Sequence, residues 1–351
     1  MKKTYLIMLV LLVQFINSWS FAQEIRKDIK VKAVITKVEQ VEDRDLPLQR
    51  IEAEVTNGPM KGESISFLSP ISNDKGQLKQ NLRVFLQLTY EADTLVAISF
   101  IDVIRDMYLL ILFFIFFLCL ILFGGFKGFR SFIALIITGL CILKIYMPMI
   151  IKGYGFILST VIVCFIIVVA SFIIIGGFTR KSLSAIIGTI GGTVASGILA
   201  LFFGNLIHLS GTYDESLQML ITYSNYNMDF RGLLYSGITI GVLGAVMDVS
   251  MTITSVIFEI KKTNPNARIS SLVLSGLSVG KDIMATTTNT LILAYAGTSM
   301  PLLFIFAFTG MTASEIINSQ YIAAELVRSL SGSIGLLLTI PITSIIAAIN
   351  R

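Results

Sequence analysis

The spacing of apolar and polar residues divides the chain into two parts. Up to about residue 104, β-branched and apolar residues alternate with polar ones in five short runs, such as IKVKAVITKVEQ and LRVFLQLTY. Turn-forming stretches, among them NGPMKG and SNDKGQ, separate these runs. Such alternation predicts β-strands with one buried face. The five runs between residues 23 and 104 therefore predict a compact β-barrel of the OB type.

From Met107 onward the apolar residues form much longer runs. A transmembrane helix needs about 20 predominantly apolar residues. The runs predict seven crossings, at residues 107–123, 131–150, 154–178, 183–207, 232–258, 282–308 and 329–349. Gly297 and Pro301 predict a bend in the sixth, and a separate crossing after that bend would give eight. The predicted fold is an α-helical polytopic membrane protein of about seven transmembrane helices with an N-terminal extracytoplasmic OB-like domain.

Composition and the N-terminal residues support this division. Hydrophobic residues make up 54% of the chain and charged residues only 14%, which is typical of membrane proteins. Lys2 and Lys3 precede an apolar stretch that ends before Ser20 and Ala22. This pattern predicts a signal peptide cleaved before Gln23, and the alternative is an uncleaved anchor helix. The predicted domains are thus 1–22 signal peptide, 23–104 extracytoplasmic β domain and 105–351 transmembrane helical domain.

The distribution of charge predicts the orientation and excludes one class of partner. With the β domain outside and seven crossings, nine Lys and Arg residues fall on the cytoplasmic side and four on the outer side. Cytoplasmic loops are enriched in these residues, so the C-terminus is expected in the cytoplasm. Residues 23–106 hold 12 basic and 14 acidic residues, and this near-neutral domain lacks the basic groove that binds nucleic acid.

Cysteine and histidine are too few for a disulfide framework or a Cys/His metal site. The three cysteines, Cys119, Cys141 and Cys164, lie in apolar runs, and His208 is the single histidine of the sequence. We therefore expect no metal and no cofactor. The sequence also offers no nucleophile, metal cluster or phosphate loop to support an enzyme.

Small residues recur every four positions in two of the predicted spans. The fourth span carries one ladder, and the fifth span carries a shorter one through Gly237, Gly241 and Ala245. The members of the first ladder are Ser184, Gly188, Gly192, Ser196, Ala200 and Gly204. Small residues at this spacing let helix backbones approach closely in lipid, so both ladders predict tight packing. A sliding surface is the functional alternative.

Two aspartates lie within or beside apolar runs and supply the candidate chemistry. Residues at i, i+4 and i+7 share a helix face. Asp248 therefore lines up with Thr252 and Ser255, and the second stripe consists of Asp282, Thr286 and Asn289, with Thr287 beside it. A carboxylate at membrane depth costs about 3 kcal/mol and usually marks an ion, proton or substrate path.

Oxygen ligands of this kind suit protons or hard cations. The stripes thus predict a polar path between the fifth and sixth spans. The structural alternative is that Asp248 joins neighbouring helices through an ion pair with Lys281. Asp282 would then lie at the cytoplasmic membrane–water interface.

The segment KKTNPNARISSLVLSGLSVGKDIM between these spans is too polar to cross, yet it has helical spacing. It predicts a helix on the inner leaflet or a re-entrant half-helix. A half-helix that ends at Gly280 and restarts near Asp282 would be similar to the broken helices of transporters.

Three long blocks resemble a known family. They are GAVMDVSMTITSVIFEI at 244–260, SGLSVGKDIMATTTNTLILAYAGTSMPLL at 275–303 and AAELVRSLSGSIGLLLTIPITSIIAA at 323–348. In this order they resemble the YibE/F family of bacterial multi-pass membrane proteins. The chain has Lys281 where the family usually has arginine, and Ala285 where it usually has glycine. The resemblance implies a bacterial plasma-membrane protein, and it marks Asp248, Lys281, Asp282, Asn289, Tyr295, Glu325 and Arg328.

Two functional hypotheses follow from these patterns. The first is a transporter or permease in which Asp248 and Asp282 bind a proton or cation. The second is a non-transporting membrane scaffold that displays its outer β domain to envelope partners. Expected partners are the lipid bilayer, a proton or cation, and a second copy or a family paralogue. Glu325 and Arg328, three residues apart on one helix face, are expected to form a stabilising ion pair.

Overall fold

The structure, a computed structural model, describes residues 27–42, 47–70, 78–91, 94–212 and 229–350. The predicted signal peptide therefore lies outside the described residues. The described residues belong to two compact units, one up to Phe116 and one from Phe117 onward.

The first unit contains a five-stranded antiparallel sheet. Its strands are β1 (Lys27–Glu42), β2 (Pro47–Val55), β3 (Ser64–Pro70), β4 (Arg83–Glu91) and β5 (Thr94–Val103), in the order β3-β2-β1-β4-β5. The first half of β1 pairs with β4 and its second half with β2. The register shifts between Ile35 and Lys37, and such a bulge bends a strand. This curved sheet agrees with the predicted small β domain.

Alternate residues of the strands form the core of this unit. Fully buried side chains include Val31 and Ile35 of β1, Ile51 of β2, and Leu86 and Leu88 of β4. The alternation seen in the sequence thus becomes the inner face of the sheet.

The second unit consists of helices. The first helix begins at Asp106, before the boundary at Phe117. They are α1 (Asp106–Cys141), a π-helical turn (Ile142–Tyr146), α2 (Met147–Ile151), α3 (Phe156–Gly176), α4 (Arg180–Leu206), α5 (Phe230–Thr263), α6 (Ile269–Thr298), α7 (Met300–Thr309), α8 (Ala313–Asn318) and α9 (Gln320–Ile349). Within the described residues, five helical segments are long and apolar enough to cross a membrane, or six if α6 and α7 form one bent span. The helical part is thus membrane-embedded, and seven crossings remain a prediction.

The first two predicted spans fall in one helical segment, Asp106–Ile151, which is broken at Gly125. Gly125 has φ 53° and ψ −133°, a backbone conformation that side chains disfavour. The ring centroids of Phe117 and Phe132 are 4.3 Å apart. In a straight helix, 15 residues would separate them by about 22 Å. The chain therefore folds back on itself at Gly125.

The first small-residue ladder packs tightly, as predicted. A Cβ at Gly188 would overlap Oγ1 of Thr343, and one at Gly192 would overlap Oγ1 of Thr339. Both threonines lie on α9. Glycine at these two positions therefore lets α4 and α9 approach closely.

The second ladder does not pack in this way. Among the described residues outside the adjacent helix backbone, no heavy atom lies within 4 Å of the position that a Cβ would take at Gly237, and at Gly241 the Tyr295 hydroxyl alone does, at 3.1 Å. Tight packing was therefore the wrong prediction at Gly237, whereas Gly241 lies against Tyr295 and Ala245 packs against the core of the helical part. The spacing of the small residues showed which of them share a face of α5, but it could not show which helix lies against that face.

The sixth predicted span is bent at Ser299, where α6 and α7 meet at 59°, which confirms the expected bend. By contrast, α6 runs without a break through Gly280 and Asp282. The half-helix that ends at Gly280 was therefore wrong. Gly280 instead permits close packing, because a Cβ there would overlap the side chain of Ile340 on α9.

Candidate functional site

Asp248 lies near the middle of α5. This helix has 34 residues and is therefore about 51 Å long, whereas the hydrocarbon core of a bilayer is about 30 Å thick. The carboxylate therefore lies at hydrocarbon depth when α5 spans the membrane. Among the described residues, no side chain donates a hydrogen bond to this carboxylate or forms an ion pair with it.

Asp248 belongs to an exposed stripe that we call the glycine–aspartate face: Gly237, Gly241, Gly244, Asp248 and Thr252. A Cβ at Gly244, as at Gly237, would have no heavy atom within 4 Å. The opposite side of α5 is buried in the bundle. The face therefore combines a carboxylate with free space on its flank.

The hydroxyls predicted to share this stripe bond to their own helix. Thr252 donates to the carbonyl oxygen of Asp248 at 2.8 Å, and Ser255, which is half-buried, donates to that of Met251 at 2.6 Å. Such bonds satisfy the donors and leave hydroxyl lone pairs available.

The second predicted stripe lies on the outer side of α6. Asp282, Thr286 and Asn289 are exposed, and Thr287 is half-buried. Thr286 and Thr287 both donate to the carbonyl oxygen of Ile283, at 3.0 and 2.8 Å. The fully buried residues of α6 are Leu272, Gly276 and Gly280, on the other side of the helix. The stripe therefore faces away from the neighbouring helices.

Two contacts give the relative levels of α5 and α6. Gly276 lies against Ile257, and Gly241 lies against the hydroxyl of Tyr295, so the two helices are antiparallel. These contacts place Asp248 level with residues 285–288 of α6, so Asp282 lies about 5–9 Å further along the helix axes. The structure thus brings Thr287 and Thr288 to the level of Asp248, whereas the Asp282 stripe faces a different direction.

Thr288 and Tyr295 are half-buried polar residues of α6, and the Tyr295 hydroxyl lies 3.1 Å from the position that a Cβ would take at Gly241. They are seven residues apart on one helix face, as Asp248 and Gly241 are on α5. Thr288 Oγ1 is buried and has no hydrogen-bond partner among the described residues. The spacing within α6 could have shown that these two residues share a face, but not that this face turns toward α5.

A half-buried ion pair lies beyond Tyr295. Nη1 of Arg328 donates to Oε1 of Glu325 at 2.6 Å, which confirms the expected pair on α9. The Arg328 guanidinium lies 5.8 Å from the ring centroid of Tyr295. Cation–π contact therefore links this pair to α6. The family resemblance marked both residues of this pair. It could not show that they lie beside α6, because that depends on how the helices pack.

We call Asp248, Thr288, Tyr295, Arg328 and Glu325 the polar row. Tyr295 lies against Gly241 on the α5 face that carries Asp248, Arg328 contacts Tyr295, and Thr288 shares a face of α6 with Tyr295. A carboxylate and hydroxyl oxygens can bind or relay a proton or a hard cation. In the part of the chain that the structure describes, no group of three His, Cys, Asp or Glu residues could hold a metal ion.

Comparisons with known proteins give one match. The model of a family described as YibE/F-like protein matches residues 112–350, which includes every residue of the polar row. Searches of curated proteins and of solved structures found no match.

Proposed function

Because the chain belongs to the YibE/F-like protein family and is a multi-pass membrane protein, we propose that it is a transporter or permease for protons or small cations. The path runs along the glycine–aspartate face of α5, beside the inward face of α6. The observation that carries this proposal is the Asp248 carboxylate, which lies at hydrocarbon depth with no ion-pair partner among the described residues.

The energetics favour a path over a lipid-facing surface. A carboxylate in hydrocarbon costs about 3 kcal/mol, so it is retained where water, a proton or a cation reaches it. The empty flanks of Gly237 and Gly244 leave room for such an aqueous path. Thr252 supplies an oxygen atom one turn along α5, and Thr288 supplies one on α6 at about the level of the carboxylate.

In this proposal the helical part crosses the bacterial plasma membrane seven times, with the fold-back at Gly125 separating the first two crossings. In the same proposal the β domain lies outside and is OB-like, which is supported by the pairing of β1 with both β2 and β4, as in the long first strand of such a barrel. The C-terminus lies in the cytoplasm, in agreement with the excess of Lys and Arg on that side.

The test is flux of protons and of Na⁺ and K⁺ into proteoliposomes that contain the full chain. Asp248→Asn removes the charge with little change of volume, and we expect flux to fall at least about tenfold. Glu259→Gln is the matched control, since Glu259 is an exposed acid at the end of the same helix. It should retain flux within about twofold, and both variants must match wild type in their size-exclusion profile.

The scaffold alternative predicts a different result. Asp248 would then be structural, so Asp248→Asn would lower the folded yield, and wild-type vesicles would show no flux above empty vesicles. Deletion of residues 23–104 would remove partner binding.

The exposed stripe on α6 supports a further part of the proposal: a second copy of the chain, or a family paralogue, binds to this stripe. Asp282, Thr286 and Asn289 face away from the bundle, and polar residues at membrane depth normally contact protein. In a chain without native cysteines, Asn289→Cys should form disulfide-linked dimers in the membrane. Ala294→Cys, which is exposed and lies about 140° around α6 from Asn289, should not. Equal cross-linking at both positions would contradict this interface.

A further inference from the structure

A cleft of about 210 Å³ lies between α3, α4 and α5, away from the polar row. Its floor is buried and includes Cys164, Ser236 and Leu243, which are 2–6% exposed. Its rim is formed by exposed apolar side chains, among them Val161 and Val194. Because the rim belongs to helices that span the membrane, the cleft opens toward hydrocarbon rather than water.

The dimensions of the cleft match a single lipid chain. Its lining extends along α3 from Ile157 to Val168, which is about 16 Å in a helix. The hydrocarbon core is about 30 Å thick, so this length corresponds to one leaflet. The cleft lies in the half of the bundle where α3 and α5 begin.

Thr160 and Ser236 in the cleft wall bond within the protein, whereas Oγ1 of Thr193 is buried without a hydrogen-bond partner among the described residues. Thr160 donates to Oγ of Ser236 at 2.7 Å or to the carbonyl oxygen of Phe156 at 2.8 Å. Ser236 donates to the carbonyl oxygen of Gly232 at 2.7 Å. Because Thr160 and Ser236 are satisfied within the protein and Thr193 is only 5% exposed, the surface offered to an occupant is mainly apolar.

Two exposed basic residues lie in the sequence beside the helix starts in this half of the bundle. Lys152 precedes α3, and Arg231 is the second residue of α5. The starts of these helices touch, since a Cβ at Gly232 would lie 2.9 Å from Cβ of Phe156. Asp229, the acid at this corner, already accepts a hydrogen bond from the Gly232 amide. Two helix N-termini and two basic side chains favour an anionic group here.

We propose that this cleft binds one acyl chain of an anionic phospholipid, with the phosphate held near Lys152 and Arg231. The site is separate from the proposed cation path, so its test does not depend on transport. The bound chain fills the space that α3 and α4 leave between them.

The experiment uses the full chain in nanodiscs that contain phosphatidylglycerol with a photoactivatable diazirine in its acyl chain. Peptide mass spectrometry locates the cross-links. Lipid that merely surrounds the protein labels exposed side chains, whereas a bound chain labels the floor at Cys164 and Ser236. Labels confined to exposed positions would overturn the proposal.

Two cleft-filling variants test whether floor labelling requires the cleft. Val194→Trp and Gly197→Leu each place side-chain volume in the cleft, and floor labelling should fall at least about tenfold. Ile187→Trp is the matched control, since Ile187 is equally lipid-exposed one heptad earlier on α4 but does not line the cleft. Floor labels that survive both filling variants would contradict the assignment.

A comparison of two lipids tests the headgroup. Phosphatidylcholine with the same labelled chain should label the floor less than phosphatidylglycerol does. Lys152→Gln and Arg231→Gln should each lower that preference about fivefold, since a basic residue near an anionic surface contributes about one such factor. Equal floor labelling by the two lipids in the wild-type protein would overturn the choice of an anionic lipid.

Discussion

At the residue scale, Gln49 and Asp248 are both polar side chains among apolar ones, but they differ in their hydrogen bonds. Gln49 on β2 is 3% exposed, and its amide bridges the backbone of Leu78, accepting from the Leu78 amide at 3.1 Å and donating to the Leu78 carbonyl oxygen at 3.4 Å. Asp248 has no such partner in the described residues. A fully bonded buried group stabilises the fold, whereas an unbonded carboxylate at membrane depth indicates a function.

Gln49→Leu should destabilise the β domain, because it leaves the amide and carbonyl of Leu78 buried without partners. The expected loss is about 1–3 kcal/mol of unfolding free energy. Hydrogen exchange of the full-length protein should then show weaker protection of β2 and β4. Gln87→Leu is the control, since Gln87 on β4 is half-buried. Equal protection in both variants would show that the Gln49 bridge contributes nothing.

Residue spacing predicted some of the candidate site, but not all of it. The i, i+4, i+7 rule identified the stripes of Asp248 and Asp282 correctly as helix faces. It could not show that the first borders α6 and that the second faces away, because orientation depends on how α5, α6 and α9 pack. Thr288 and Tyr295 were missed as neighbours of α5 for the same reason.

At the element scale, glycine has two distinct uses in these helices. Gly192 of α4 and Gly280 of α6 allow close approach to α9, whereas Gly237 and Gly244 of α5 leave open space. Four-residue spacing in the sequence is the same in both cases. Only the neighbouring helix distinguishes them, which explains why tight packing was predicted correctly for the first ladder and wrongly at Gly237.

Gly192→Ala should destabilise the helical part strongly, because the added Cβ would overlap Oγ1 of Thr339 and lie 2.9 Å from the carbonyl oxygen of Gly335. Overpacking of this kind costs about 1–3 kcal/mol or more. The unfolding temperature, followed by size-exclusion after heating, should fall. Gly139→Ala, with no heavy atom within 4 Å of the new Cβ, is the matched control and should not lower it. If both substitutions behave alike, the tight contact of α4 with α9 is contradicted.

At the scale of the whole molecule, hydropathy predicted a polar β domain followed by a membrane-embedded helical part, because both patterns are local in sequence. The family match over residues 112–350 supports the membrane assignment independently. The fold-back at Gly125 and the unbroken course of α6 depend on contacts between distant residues. The sequence pattern therefore could not predict where these helices turn or continue.

The central claim is that water reaches Asp248 along the glycine–aspartate face, and cysteine accessibility tests it most directly. In a folded chain without Cys119, Cys141 and Cys164, the single variants Asp248→Cys and Gly244→Cys are treated in membranes with a charged thiol reagent, which reacts only with thiols that water reaches. The account predicts modification at both positions and none at Leu293→Cys, an exposed apolar position on α6. Absence of modification at both 244 and 248 would show that this face is dry and would contradict a transport path along α5.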